Sequence, residues 1–201
     1  MRKIIVAITG SSAPIYGIST LRALADAPDV ETHLVLSDGA RASIHHEASD
    51  WTIDEITALA DVAHDPRNMA ASISSGSFKT DGMVVVPCSM KALSAIANGY
   101  SADLIARAAD VCLKERRRLV VVPRETPLNR AHLVNMLAIN DMGAVVLPPM
   151  PGFYGHPETI QDLVNHTVGK VLDLLDVPHQ LFQRWGGSEP AHVEIVGDTP
   201  S

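Results

Sequence analysis

Cysteine is nearly missing from this chain. Only Cys88 and Cys112 occur in 201 residues, too few and too far apart for a disulfide scaffold or a metal-type spacing, so a reducing compartment, the cytoplasm, is expected. Aromatic residues make up 4%; the core must be built from Val, Leu, Ile and Ala, and any aromatic in a loop calls for an explanation. No apolar run is long enough to cross a bilayer, and the one after Arg2 and Lys3 stops at Gly10, so neither a membrane span nor a secretory leader is expected. Positive charge is short, with 16 Lys and Arg against 23 Asp and Glu and a net charge of −7, which argues against a nucleic-acid surface. Internal repeats, a G-x-S-x-G elbow, a Walker lysine and a G-x-G-x-x-G fingerprint are missing too. The nine histidines are scattered, and adjacent His45 and His46 cannot oppose each other on one helix face, so no metal site is expected.

What is present is an α/β alternation. Residues 3–8 (KIIVAI) read as a buried strand, 9–14 (TGSSAP) as a Gly/Ser turn and 15–24 as a helix. This is how an open parallel sheet offers free backbone N–H groups and a positive helix end to an anion. A second strand, 30–36, ends at Ser37; 39–47 is helical and ends at Glu47; Thr52 opens a capping box with Glu55. Residues 61–78 are irregular, small and polar, with Met69 and Phe78 at the flanks. An ordered loop over the sheet, packed against another subunit, is expected there.

The run 82–86 (GMVVV) is the central strand, followed by Ser89 at the start of a helix over 92–98. A helix over 102–113 ends in the cations 114–118, and strand 119–122 leads to Arg124 and Glu125. Thr126 is read as the cap and Pro127 as the first residue of a helix that runs to Asp141 and stops at Gly143. Strand 144–147 precedes a proline-rich loop that presents Phe153 and Tyr154. Helix 158–175 carries an apolar stripe from Ile160 to Leu175, with Lys170 off its centre. The fold expected is a single three-layer α/β domain, Rossmann-like or flavodoxin-like, with a mostly parallel sheet over 1–187 and a disordered tail over 188–201.

Ligands of such sheets sit at the carboxyl ends of strands. Ser12, Ser37, Ser89 and Arg124 fall there and suit a phosphorylated, ring-bearing ligand. Lys114, Glu125, Tyr154 and Lys170 point to a second anion with an acid–base partner.

Six stretches carry a resemblance: ITGSSAPIYG (8–17), ETHLVLS (31–37), AASISSGSF (70–78), VVPCSMKALS (85–94), RAADVCLKERRRLVVVPRETPL (107–128) and LPPMPGFYGHPET (147–159). Together they make the chain similar to the UbiX family of flavin prenyltransferases, long described as aromatic-acid decarboxylase subunits. The resemblance implies an enzyme that binds reduced FMN and dimethylallyl phosphate and joins the prenyl group to flavin N5 and then C6. The prenylated FMN would serve a partner decarboxylase of the UbiD type, and the enzyme would be a homo-oligomer, a dodecamer. Carried over by residue, Gly10, Ser11, Ser12, Ser37, Ser89, Met90, Lys91, Ala92 and Arg124 would hold FMN. Arg107, Lys114, Tyr154 and Lys170 would hold the prenyl phosphate. Ser12 and Glu47 would lie near flavin N5, Glu125 would handle a proton at the departing phosphate, and Trp185 would form part of an aromatic cover. Fixed cations stabilise the charge that grows on a leaving phosphate, and an aromatic face steadies an allylic cation. Three departures stand out, one being the turn after Glu47, which reads Ala48-Ser49-Asp50 where relatives have a shorter Thr-Asp form. Ala13 occupies a position where relatives have glycine, and Lys170 one where many have arginine, which keeps the charge but loses the bidentate fork. Two other readings stay open on the sequence: an FMN-dependent decarboxylase of the cysteine type, and a non-catalytic FMN carrier.

Overall fold

A computed structural model describes residues 1–184. Trp185 and the expected domain limit and tail at 187–201 lie outside the described residues. Six strands form one sheet: β1 (Arg2–Ile8), β2 (Val30–Leu36), β3 (Val62–His64), β4 (Gly82–Cys88), β5 (Arg118–Pro123) and β6 (Val145–Val146). Their order is β3-β2-β1-β4-β5-β6, and every neighbouring pair is parallel. This is the doubly wound arrangement, with its switch point between β1 and β4. The helices are α1 (Ile15–Ala25), α2 (Asp38–Glu47), α3 (Ile53–Ala58), α4 (Met90–Ala97), α5 (Leu104–Lys114), α6 (Arg130–Asp141) and α7 (Ile160–Leu174).

Strand alternation builds two cores. Ile4, Val6 and Ile8 of β1 point to one face and meet Ile18 and Leu21 of α1 and Val168 and Val171 of α7. Ile5 and Ala7 point to the other and meet Leu93 of α4, Ala108 of α5 and Ile139 of α6. The close seating of α1 depends on Gly17, where a Cβ would stand 2.5 Å from the carbonyl oxygen of Val86.

The strands and turns expected at β1, β2 and β4 are present, as are the Thr52–Glu55 capping box and the stop at Gly143, whose φ is +100°. Four details differ from the sequence reading. The short edge strand β3 lies inside the irregular region; Asp61 holds it by accepting from the N–H and hydroxyl of Thr32 (2.7 and 3.0 Å). Residues 72–74 form a 3₁₀ turn that buries Ile73 in the chain's own core, so the region is not merely a surface loop. Helix α6 does not begin at Thr126–Pro127. Asn129 caps it, accepting from the N–H of His132 (3.1 Å) while His132 Nδ1 accepts from the N–H of Asn129 (3.3 Å). The Thr126 N–H is already taken by Glu125 Oε1 (3.0 Å), and the Thr126–Pro127 peptide is cis. Finally, Ile160 is 81% exposed, and the buried stripe of α7 starts at Val164. Among the described residues no helix is long and apolar enough to cross a membrane.

Candidate functional site

A cleft of about 900 Å³ opens at the carboxyl ends of β1, β2 and β4, beside the switch point. Gly10 and Gly39 make part of its floor. A Cβ on Gly10 would stand 2.8 Å from the Cα of Gly39, so these two backbones touch only because neither residue has a side chain. The helices α2 and α4 aim their amino ends at this space. Ser37 caps α2, its Oγ accepting from the N–H of Ala40 (3.0 Å), and Ser89 caps α4 by accepting from that of Ala92 (3.2 Å). Each hydroxyl thereby uses a lone pair and keeps its proton to donate. Two capped helix ends, two donating hydroxyls and a bare floor match the needs of a phosphate ester, and the residues fit an FMN phosphate.

The loops around the cleft are tied together. Thr9 Oγ1 donates to the carbonyl of Pro87 (2.8 Å) and accepts from the N–H of Ser89 (2.7 Å). Ser11 Oγ donates to the carbonyl of Arg124 (2.8 Å), and the Arg124 N–H donates to the carbonyl of Cys88 (3.1 Å). The turns after β1, β4 and β5 therefore form one unit. Thr9 went unnoticed in the sequence, where it is one more residue of a polar turn. Asp38, Gly39, Arg67 and Tyr100 also line the cleft and also went unnoticed. The preference of ligands for strand ends could have found Asp38 and Gly39, whereas Tyr100 reads from the sequence as a packing residue.

Glu47 reaches the first turn from the far end of α2. Its Oε2 accepts from Ser12 Oγ (2.9 Å) and from the N–H of Ala13 (2.7 Å). Ala13 has φ +67°, the left-handed conformation that glycine would adopt without strain. Glu125 lines the cleft on an exposed loop. Met90, Lys91 and Ala92 line it from the first turn of α4. Arg124 is half-buried, and its charge acts on Tyr16. Burial is the larger effect there and raises the Tyr16 phenol, which bonds Thr167 and ties α1 to α7.

Tyr154 and Lys170 share a second patch. The Tyr154 hydroxyl lies 2.8 Å from His166 Nε2, and the two rings meet edge to face at 5.6 Å. His166 and Lys170 are one helical turn apart on α7. The acid nearest Lys170 is Asp173, at 3.9 Å. Asp173 is already engaged by Arg184 (2.7 Å) and His179 (3.0 Å), and Arg184 above all holds its carboxyl below the usual range. The Lys170 ammonium thus keeps most of its charge for a ligand.

Arg107 and Lys114 are placed elsewhere. The amino end of α5 borders the cleft through Asp103 and Ala106, but the helix has 11 residues and carries Lys114 about 15 Å away, to the amino ends of the strands. Lys114 pairs with Glu115 and lies against Gly76, where a Cβ would stand 2.7 Å from its Nζ. Arg107 pairs with Asp110 (2.7 Å) and donates from Nε to the carbonyl of Ser74 (3.0 Å). Both therefore face residues 74–77 of their own chain, not its cleft. The two thiols are buried and pushed up to about 12, which makes them poor nucleophiles. Among the described residues no three His, Cys, Asp or Glu side chains are grouped to hold a metal ion.

The flavoprotein family model matches residues 1–172. The flavin prenyltransferase UbiX of Escherichia coli K12 is 50% identical over 190 residues, which cover 94% of this chain and all of the relative. The solved structure of AnUbiX in complex with FMN and dimethylallyl pyrophosphate superposes with a TM-score of 0.90 at 52% identity, covering 94% of this chain and 99% of the other. A dodecameric FMN-dependent UbiX-like decarboxylase from Escherichia coli O157:H7 also reaches 0.90, at 51% identity, over 92% of this chain and all of that one. With a flavin-type cleft at the switch point and half or more of the residues shared over nearly the whole length, the chain belongs to the flavoprotein family, among the UbiX-like flavin prenyltransferases.

Proposed function

We propose that this protein transfers the dimethylallyl group of dimethylallyl phosphate to reduced FMN held in the cleft between α2 and α4. The observation that carries the reading is the pair of capped helix ends, Ser37 and Ser89, over the Gly10–Gly39 floor. When bound, reduced FMN supplies the nucleophilic positions, N5 and C6. Gly10, Ser11, Ser12, Ser37, Ser89, Met90, Lys91, Ala92 and Arg124 hold it. Ser12, fixed by Glu47, presents its hydroxyl oxygen toward the flavin edge. The ester oxygen bond breaks with its electron pair leaving on phosphate, so the chain's task is to hold charge and a proton there. Tyr154 and Lys170 bind the phosphate, and Glu125 carries the proton it takes up. The resemblance assigns Trp185 to an aromatic cover over the prenyl group; that residue lies outside the described residues.

Arg107 and Lys114 enter this scheme from a neighbouring copy, since within one chain Lys114 stands at the far end of α5 from the cleft and Arg107 is engaged by Asp110 and the carbonyl of Ser74. Assembly has its own support in α6, whose Leu133 and Leu137 are 53% and 60% exposed one turn apart, beside half-exposed Val134. The expected assembly is a dodecamer like that of the relative from Escherichia coli O157:H7. A cytoplasmic location agrees with two unpaired cysteines, and the prenylated flavin passes to a UbiD-type decarboxylase. The test is the mass of flavin recovered after the protein is incubated with reduced FMN and dimethylallyl phosphate, with the diphosphate in parallel. A gain of one C5 unit is expected with the monophosphate. Unmodified FMN with both esters would leave a carrier or a decarboxylase.

A further inference from the structure

The cations 114–118 close α5 in the sequence, but Arg117 does something the others do not. Its guanidinium reaches back to the segment before β4. Nη2 donates to the carbonyl of Gly76 (2.5 Å), and Nη1 to the carbonyl of Phe78 (2.8 Å) and the hydroxyl of Thr80 (3.3 Å). The base of the side chain is itself fixed, because the Arg117 N–H donates to the carbonyl of Cys112 (2.8 Å) at the end of α5. Ten residues earlier in the chain, Arg107 takes the carbonyl of Ser74 (3.0 Å).

Two guanidinium groups from either end of α5 thus hold three alternate carbonyls, at Ser74, Gly76 and Phe78. Residues 75–78 form a turn closed by the Phe78 N–H donating to the carbonyl of Ser75 (3.2 Å). Ser75 and Ser77 are exposed, with their hydroxyls 2.8 Å apart, and Ser75 has extended backbone angles. Gly76 lies against the Lys114 ammonium. Phe78 ends the segment, wedged beneath the Lys3 ammonium (5.4 Å from the ring centre) and edge-on to buried His33 (5.3 Å). The arrangement is a strap whose outer side shows two hydroxyls beside the Lys114–Glu115 ion pair.

We infer that Arg117 is a positioning residue for prenyl-phosphate binding: by fixing the carbonyls of Gly76 and Phe78 it sets Ser75, Ser77 and Lys114 in the register that a phosphate group requires. This rests on the reading that Lys114 and Arg107 complete the site of a neighbouring copy. Arg117 does not touch the ester. A planar fork can serve two carbonyls two residues apart and a hydroxyl beside them; an ammonium at the same place cannot span them. With the fork gone, half-buried carbonyls lose their donors and the strap slackens around Lys114.

The test uses full-length Arg117→Lys and Arg117→Ala beside Lys114→Gln, all assayed with reduced FMN and dimethylallyl phosphate. For both Arg117 variants the KM for the ester should rise about tenfold or more, while FMN affinity and sedimentation stay within about twofold of the parent. Added guanidinium chloride at tens of millimolar should restore much of the Arg117→Ala loss and none of the Lys114→Gln loss. A KM unchanged in the Arg117 variants but raised in Lys114→Gln overturns the role of Arg117 alone. A KM unchanged in all three overturns the reading of Lys114 beneath it. Should Arg117→Ala fail to assemble, Arg117→Lys carries the test, and a loss of FMN affinity parallel to that of the ester would reduce Arg117 to a general structural residue.

Discussion

Ala13→Gly tests the one backbone departure from the family's glycine-bearing turn. Ala13 sits at φ +67°, where an L-residue with a Cβ is disfavoured by about 1 kcal/mol, and it precedes Pro14, which narrows its choices further. The Glu47 carboxylate holds it there, accepting from the Ala13 N–H and the Ser12 hydroxyl at 2.7 and 2.9 Å. Glycine removes the strain, and against that the unfolded chain gains freedom worth about 0.5 kcal/mol. The net is a stabilisation of about 0.5 kcal/mol, or about 1–2 °C in Tm for a chain of this size. Thermal unfolding is compared at one protein concentration, because assembly makes Tm concentration-dependent. The same substitution is made in a Glu47→Gln background, where the charged acceptor is gone and Ala13 is free to relax to negative φ. There the gain should vanish or reverse. A fall in Tm of more than about 2 °C for Ala13→Gly alone, or an equal gain in both backgrounds, would refute the coupling of Glu47 to the turn. Ala13→Val should be worse than either, since a β-branched residue has no comfortable place at positive φ.

Further outcomes follow from the same geometry. Ser37→Ala and Ser89→Ala should each cost about 1 kcal/mol of stability through the lost cap and weaken FMN binding about tenfold through the lost phosphate donor, read by flavin titration; an effect on stability alone would detach the caps from the ligand. Glu125→Gln should keep FMN and ester binding within about tenfold but slow prenyl transfer by about a hundredfold in single turnovers, and an unaltered rate would remove Glu125 from the mechanism. Stability should fall in two steps as pH drops. Burial and neighbouring His33 hold His64 below its ordinary value of 6.5, so its contribution is full above that value and fades as the pH falls through the folded value; Asp173, lowered by Arg184, and Glu31, lowered by Lys3, act the same way below the ordinary carboxylate range. Urea midpoints across pH 8 to 3.5 check this, and His64→Gln should flatten only the first step.

Much of the fold was legible because local and tertiary demands agree. The run at β1, the hydroxyl after β2 and the hydroxyl after β4 each state a strand, a cap and a helix within ten residues, and the structure has them all. The misses are places where a distant partner decides. Three residues at β3 are too few to carry a period, and it is the carboxylate of Asp61 on Thr32 that fixes the strand. Thr126 looks like a cap beside Pro127, but its N–H belongs to Glu125 while Asn129 finds a reciprocal partner in His132. The site divides in the same way. Ser12 meets Glu47, 35 residues away, a contact that no motif states. Lys114 and Glu125 are only eleven positions apart, yet β5 runs between them and sets them at opposite ends of the strands, and no motif records that separation.

That separation has a consequence for how the two ligands are held. The turns around the cleft are knitted within one chain by Thr9 to Pro87, Ser89 to Thr9, Ser11 to Arg124 and Arg124 to Cys88. The cations proposed for the prenyl phosphate are split between the α7 patch of Lys170 and Tyr154 and the strap side of α5. Glu125 lines the cleft and Lys170 does not, and a carboxylate near a dianion repels it unless the two share a proton. The cations from a neighbour would offset that repulsion. Charge balance at the ester, more than the bulk of the oligomer, is then what assembly contributes: a dissociated subunit would keep its flavin site and lose the means to let phosphate leave.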